Sequence, residues 1–238
     1  MILKVPLAST SFFADANLVA YWKLEDVNDS KGSYTLTNNG STPFSAAMFN
    51  NGAVGDASGN RYFDRTPILS NGNCTIAGWI KANAEISTGT FSVISNRDST
   101  VHISYQITYD YNAGTRRLAF RRVALGGGGT SGLVSYNITL GTADFYHVAL
   151  TYDGTNVIGY VNGSSVGSAA ASGNGASGTD NFLQIFSVGG DIGNFTADDF
   201  AIFTRALSPT EISNLYTPNF VSFSPSNISQ SINRSNIY

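Results

Sequence analysis

Between Phe145 and Ala170 apolar and polar positions alternate one by one, interrupted at Asp153-Gly154 and Asn162-Gly163. Tyr146, Val148, Leu150 and Tyr152 fall on one face of the first run. In the second, Val157, Gly159 and Val161 alternate with Ile158 and Tyr160. A period of two is what a half-buried strand requires. Asp-Gly and Asn-Gly offer the positive-φ residues of tight turns, so the pattern predicts three antiparallel strands in a row, the third over 164–170.

Similar runs recur along the chain, at 18–24, 34–37, 75–82, 90–95, 101–109, 117–125, 133–139, 182–188 and 200–203, with Asn38-Asn39-Gly40 read as a turn. Strands at short intervals with no helices between them predict an all-β, two-sheet antiparallel sandwich. One short helix is expected near the C-terminus, over Leu207–Tyr216. Ser208 is placed to cap it, Pro209 suits its first position, and Glu211 completes a capping box. Residues 17–217 read as one domain, flanked by an arm (1–16) and a Ser/Asn-rich tail (218–238) with spaced apolar anchors. Such flanking segments point to self-association or to contacts with other particle or surface proteins.

Composition narrows the function classes. The chain has 238 residues, 12% of them charged, and Glu occurs only at positions 25, 85 and 211. A polar but uncharged surface suits an extracellular or particle-surface protein. With a net charge of −3 it lacks the basic footprint of a nucleic-acid binder. Its one basic cluster, Arg116, Arg117, Arg121 and Arg122, is split between two faces of a strand. Cys74, the single cysteine, reads as a small buried hydrophobe, and no disulfide is possible. There is no run long enough for a membrane span and no recognisable secretion signal. A virion protein reconciles an exterior surface with the lack of an export signal, as do a mature secreted fragment and export by another route.

Several stretches resemble the laminin-G-like, concanavalin A-like jelly-roll superfamily, in the variant common in bacterial surface and phage proteins. They are Leu18-Val-Ala-Tyr-Trp-Lys-Leu24, Asn51-Gly-Ala-Val-Gly55, Cys74-Thr-Ile-Ala-Gly-Trp-Ile80, His147-Val-Ala-Leu-Thr-Tyr-Asp-Gly154, Asn162-Gly163 and the segment 198–212 beginning Asp198-Asp199-Phe200. The resemblance implies jelly-roll connections and buried roles for Trp22, Trp79 and His147. It also implies calcium as the commoner ionic feature, with Asp29, in a loop matching the family's Asp-Ser-x-Gly element, and Asp198 and Asp199 as candidate ligands. The loop is shortened here to Ser30-Lys-Gly-Ser33.

Glycoside cleavage needs two carboxylates flanking one bond. The closely spaced Glu and Asp of glycan-cleaving relatives are missing, and Asp198 and Asp199, being adjacent, are expected on opposite faces of a strand. Candidate ligand contacts are instead Tyr62 and Tyr111, read as loop-region tyrosines, with Arg97 and Asp98 in a turn. Gly173-Asn-Gly-Ala-Ser-Gly178 lacks the following helix that a phosphate-cradling glycine loop requires.

The sequence is therefore read as a non-catalytic structural or adhesive sandwich, a virion decoration or tail-associated component with glycan recognition. The alternatives are a free carbohydrate-binding module and, least favoured, a glycoside hydrolase or lyase. No cofactor is required; a structural calcium ion is the one candidate.

Overall fold

The computed structural model describes residues 10–56, 61–65, 69, 72–97, 103–124, 129–173, 182–188 and 191–217. A short helix α1 (Thr10–Ala14) leads into β1 (Leu18–Trp22), β2 (Thr37–Asn39), β3 (Phe44–Ala46), β4 (Asn51–Val54) and β5 (Tyr62–Arg65). Longer strands follow: β6 (Cys74–Ala82), β7 (Gly89–Arg97), β8 (Ile103–Asn112), β9 (Thr115–Arg122) and β10 (Gly132–Asn137). The hairpin region supplies β11 (Tyr146–Tyr152), β12 (Asn156–Val161) and β13 (Ser164–Ala170). Then come β14 (Phe182–Ile185), β15 (Ser187–Val188), β16 (Asp191–Ile192), β17 (Phe195–Phe203) and helix α2 (Pro209–Tyr216).

Among the described residues the strands form two large antiparallel sheets and a two-stranded ribbon, β15–β16. The first sheet runs β13-β12-β11-β6-β17-β4-β3, with β1 also on β17; the second runs β10-β9-β8-β7-β14-β5-β2. Between them lie Trp22, Ile76, Ile80, Val148, Leu150 and Phe200 from the first sheet, and Phe63, Ile94, Tyr105, Ile107, Tyr109 and Phe120 from the second. The sandwich and the capped C-terminal helix agree with the sequence reading. Ser208 accepts the Glu211 N–H while the Glu211 carboxylate accepts the Ser208 N–H. At Asn162-Gly163, φ values of 49° and 76° make the tight turn into β13.

Three expectations shift. The strand sought at 34–37 lies at Thr37–Asn39, because the Trp22 indole N–H takes the Tyr34 carbonyl and the Leu36 N–H takes that of Val27. The turn follows at Gly40 and Ser41, both at positive φ. Strands β3, β4 and β5 are too short for a period to register in the sequence. Residues 10–14, read as part of an arm, form α1 and lie on the back of the first sheet.

That back face carries a second apolar cluster: Tyr21, Ala77, Ala149, Tyr160 and Phe203 with Leu207 and Ile212. Phe12 and Phe13 of α1 and Leu215 of α2 pack on it. Arg205 ties the two helices together, 2.6 Å from Asp15 and 2.5 Å from Glu211. Arg122 enters the sandwich instead, its guanidinium 4.9 Å from the Tyr105 ring and 5.0 Å from that of Tyr152.

Close sheet-to-sheet packing sets what a strand position tolerates. A Cβ on Gly159 of β12 would sit 2.5 Å from Phe120 Cδ2, which projects from the opposite sheet. Gly159→Ala is expected to lower stability by about 1–3 kcal/mol, because the overpacked core must shift ring or backbone. Urea unfolding measures this, and an unchanged midpoint would contradict it.

Candidate functional site

Tyr62, Arg97 and Tyr111, singled out from sequence as ligand contacts, sit on strands and do not converge. Tyr111, expected in a loop, is near the end of β8, where the ladder continues to Asn112 before turning at Ala113-Gly114 (φ 49° and 83°). It packs on the core with the Arg116 guanidinium 5.5 Å from its ring. Tyr62 opens β5, also against the core, and β7 and β14 separate it from β8. Arg97 ends β7 at the opposite end from Gly89, the partner of Tyr111. Asp98 lies outside the described residues.

A different set is assembled by β8. Tyr105, Ile107 and Tyr109 face the core, so Gln106, Thr108 and Asp110 face outward from the second sheet. Register extends this polar face across neighbouring strands. Gln106 stands beside Arg121 and Ser95, and Ser95 beside Gln184; Thr108 stands between Ala119 and Ser92, and Asp110 between Arg117 and Thr90. On β10, Leu133, 48% exposed, lies opposite Arg121.

Ala119 leaves space between the two arginines of β9, and both side chains reach across to one carboxylate. Arg117 Nε is 3.6 Å and Arg121 Nη2 3.3 Å from Asp110 Oδ2. Beneath them Thr108 is 0% and Asp110 3% exposed, although they face away from the core. Ser92 Oγ, Gln106 Oε1, Thr108 Oγ1, Asp110 Oδ1, Gln184 Oε1 and both arginine Nε atoms are buried and have no hydrogen-bond partner. Each such atom, left unmade, costs about 1–3 kcal/mol. The face therefore requires water or a hydroxyl-bearing ligand to complete it. Its signal in the sequence is the alternation Ser-Tyr-Gln-Ile-Thr-Tyr-Asp-Tyr over 104–111 with arginines four apart on the next strand.

The aspartate pair lies on the other sheet. β17 pairs with β6 along one edge; on the other it pairs first with β4, through Thr196 and Ala197, and then with β1, from Phe200 onward. At the changeover Asp199 adopts φ 51° and the register with β6 slips. Asp198 stands opposite Trp79, while Asp199 lines a cavity with Trp79, Tyr21, Phe12, Phe49 and His147. Both carboxyls thus share the outer face, contrary to the expectation of opposite faces: the bulge adds a residue and cancels the alternation.

Asp198 Oδ2 accepts the Phe49 N–H at 2.7 Å, leaving Oδ1 without a partner. Asp199 Oδ1 accepts the Tyr21 hydroxyl at 2.6 Å. Burial, reinforced by the neighbouring Asp199, pushes Asp198 up to about 9. Burial also raises Asp199 to about 7 against the opposing hydrogen bond from Tyr21. His147, its ring 5.3 Å from that of Trp79, is pushed down to about 3 by burial and stays neutral. It packs as expected, but Nδ1 is unpartnered.

The cavity measures about 30 Å³. That is space for about one water, against the hundreds of Å³ of a ligand pocket (roughly 300–1,000 Å³). It can hold a proton and a water, not a sugar ring between two carboxylates.

Calcium takes six to eight oxygens (about 2.3–2.6 Å away). The proposed ligands do not fit one. Asp29 Oδ1 accepts the Tyr21 and Lys31 N–H groups, and Oδ2 those of Gly32 and Tyr34, so it staples its loop. Among the described residues no three His, Cys, Asp or Glu side chains gather as a metal site. No helix among them is long and apolar enough to cross a membrane.

Raised carboxyl pKa values make stability pH-dependent. Unfolded Asp198 loses its proton near pH 4 and folded Asp198 near 9, so unfolding releases a proton between them. This contribution is fully present below about pH 4 and is lost as pH rises through the folded values. Asp198→Asn should shrink the loss of unfolding free energy between mildly acidic and alkaline pH by at least about 1.4 kcal/mol, the equivalent of one pKa unit. Urea unfolding across that range measures it; parallel profiles for variant and parent would contradict the assignment.

The fold and chain patterns have known counterparts. Domain 4 of AbnA, a GH43 extracellular arabinanase from Geobacillus stearothermophilus, solved in complex with arabinotriose, superposes with a TM-score of 0.64 at 15% identity, covering 84% of this chain and 98% of that one. The botulinum neurotoxin serotype G binding domain gives 0.60 at 16% identity, over 84% of this chain and 50% of that one. The binding domain of Paraclostridial Mosquitocidal Protein 1 gives 0.58 at 16%, over 84% and 52%. The chain thus spans about half of each of these last two. No curated protein sequence matches it. Residues 55–213 match the family described as the concanavalin A-like lectin/glucanases superfamily, and with both sheets, the Asp198-Asp199-Phe200 strand and the capped helix in place, the chain belongs to that family.

Proposed function

We propose that this protein is a non-catalytic adhesive sandwich that recognises glycans through the outer face of its second sheet. The observation that carries the reading is the row of unpartnered hydrogen-bonding atoms around Gln106, Thr108 and Asp110. Sugar hydroxyls both donate and accept, so one oligosaccharide can complete many such atoms at once. The seven-stranded sheet supplies the width, with Arg117 and Arg121 part-exposed above these buried atoms, whereas the carboxyl pair of the first sheet sits in a space of about 30 Å³. The arabinotriose complex of AbnA domain 4 supports a sugar ligand by analogy of fold, and the neurotoxin binding domains support an adhesive role.

The setting proposed is the outside of a particle, as a phage or virus decoration or tail-associated protein. Support comes from the low charge and from the Ser/Asn-rich segment 218–238 with its spaced apolar residues, which would bind neighbouring subunits. A free carbohydrate-binding module is the second reading, favoured by the match over nearly the whole of AbnA domain 4.

Gln106→Leu combined with Thr108→Val removes hydrogen-bonding atoms from the face while keeping side-chain volume. At about 0.5–1.5 kcal/mol per hydrogen bond, glycan affinity should fall roughly tenfold. A glycan array followed by calorimetry reads this, and full binding by the double variant would overturn the placement. Mass spectrometry of purified particles tests the setting: a monomer absent from them would leave the free-module reading.

A further inference from the structure

The polar face also has a charge imbalance that indicates the kind of sugar it takes. Arg117 and Arg121 converge on Asp110, so a pair of cations faces one carboxylate. The strand-borne Asp64 on the same face is separated from β9 by β8, β7 and β14. Glu85 is engaged with Arg116, at 3.6 Å. Among the described residues one positive charge is therefore left over locally.

Donor capacity is also in surplus. A guanidinium carries about five N–H groups in a planar fork. Arg121 uses one of them on Asp110 at 3.3 Å, and Arg117 makes a 3.6 Å ion pair; both Nε atoms are buried, so the donors left for a ligand are those of the part-exposed guanidinium ends. The side chains are 28% and 32% exposed, so their outer edges are open to a ligand while Asp110 holds them from beneath. A planar carboxylate matches such an edge with two parallel charge-assisted hydrogen bonds. Buried polar side chains adjoin the pair: Gln106 and Ser95 beside Arg121, Thr108 and Ser92 beside Ala119.

We infer that Arg117 and Arg121 form a carboxylate seat, so that the preferred ligand is an acidic saccharide of the uronic or sialic acid class. This assignment rests on the glycan reading of the same face and adds the chemical class.

The test compares hyaluronan tetrasaccharide, oligogalacturonate and 3′-sialyllactose with their methyl esters, which keep every hydroxyl and lose the charge. Binding to the intact protein is measured by calorimetry at low and physiological salt, alongside Arg117→Gln and Arg121→Gln with their melting temperatures as a fold check. At least one acid should bind about tenfold tighter than its ester and weaken with salt. Each glutamine variant should erase most of that preference, weakening the acid more than its ester. Equal affinity for acid and ester, or an acid preference that survives both variants, overturns the carboxylate seat but leaves the glycan face standing. Failure of every saccharide to bind, neutral ones included, overturns the glycan reading and this assignment with it.

Discussion

Strand β17 is the member on which the first sheet depends, because it lies against β6 throughout and serves two further strands in turn. β4 takes its first half and β1 its second. Where the partner changes, the ladder to β6 carries a fault, at Asp199 in the left-handed region. Phe200 then turns inward over Gly78, where a Cβ would sit 2.7 Å from the ring. The aspartates stay on the outer side, where Tyr21 and the Phe49 N–H meet them. The hydrogen bonds that hold the changeover need carboxyl oxygens, and burial among aromatic rings makes their ionised form unfavourable.

The two outer faces of the sandwich have opposite fates. The back of the first sheet is apolar and closed by α1 and α2, with Arg205 bridging Asp15 and Glu211 at their junction. The outer face of the second is polar among the described residues and keeps hydrogen-bonding capacity unspent at seven atoms of Ser92, Gln106, Thr108, Asp110, Gln184, Arg117 and Arg121. A sheet covered on both sides needs apolar residues throughout, while one covered on a single side alternates. β6, buried along almost its whole length, follows the first pattern, and β8 with β9 the second.

Much of this was legible in the sequence where period and turn chemistry agreed. The run from Tyr146 to Ala170 carries both signals and folds as read, and Ser208, Pro209 and Glu211 cap α2 as their types require. Where elements are only three or four residues long, as in β3 and β4, a period of two has no room to appear. The split of the basic cluster was also legible: Arg117 and Arg121 face outward, while Arg122 is fully buried.

By itself, then, the chain determined its strands, its hairpins, its capped helix and its membership of a sandwich family, because local alternation and turn residues act over a few neighbours. Which polar residues stand side by side was decided only by tertiary structure. Ser95, Gln106 and Arg121 come together through inter-strand register, and Asp198 and Asp199 share a face through a bulge caused by strands more than a hundred residues away. Pairing across a sheet depends on how loops close, and no local pattern carries that information.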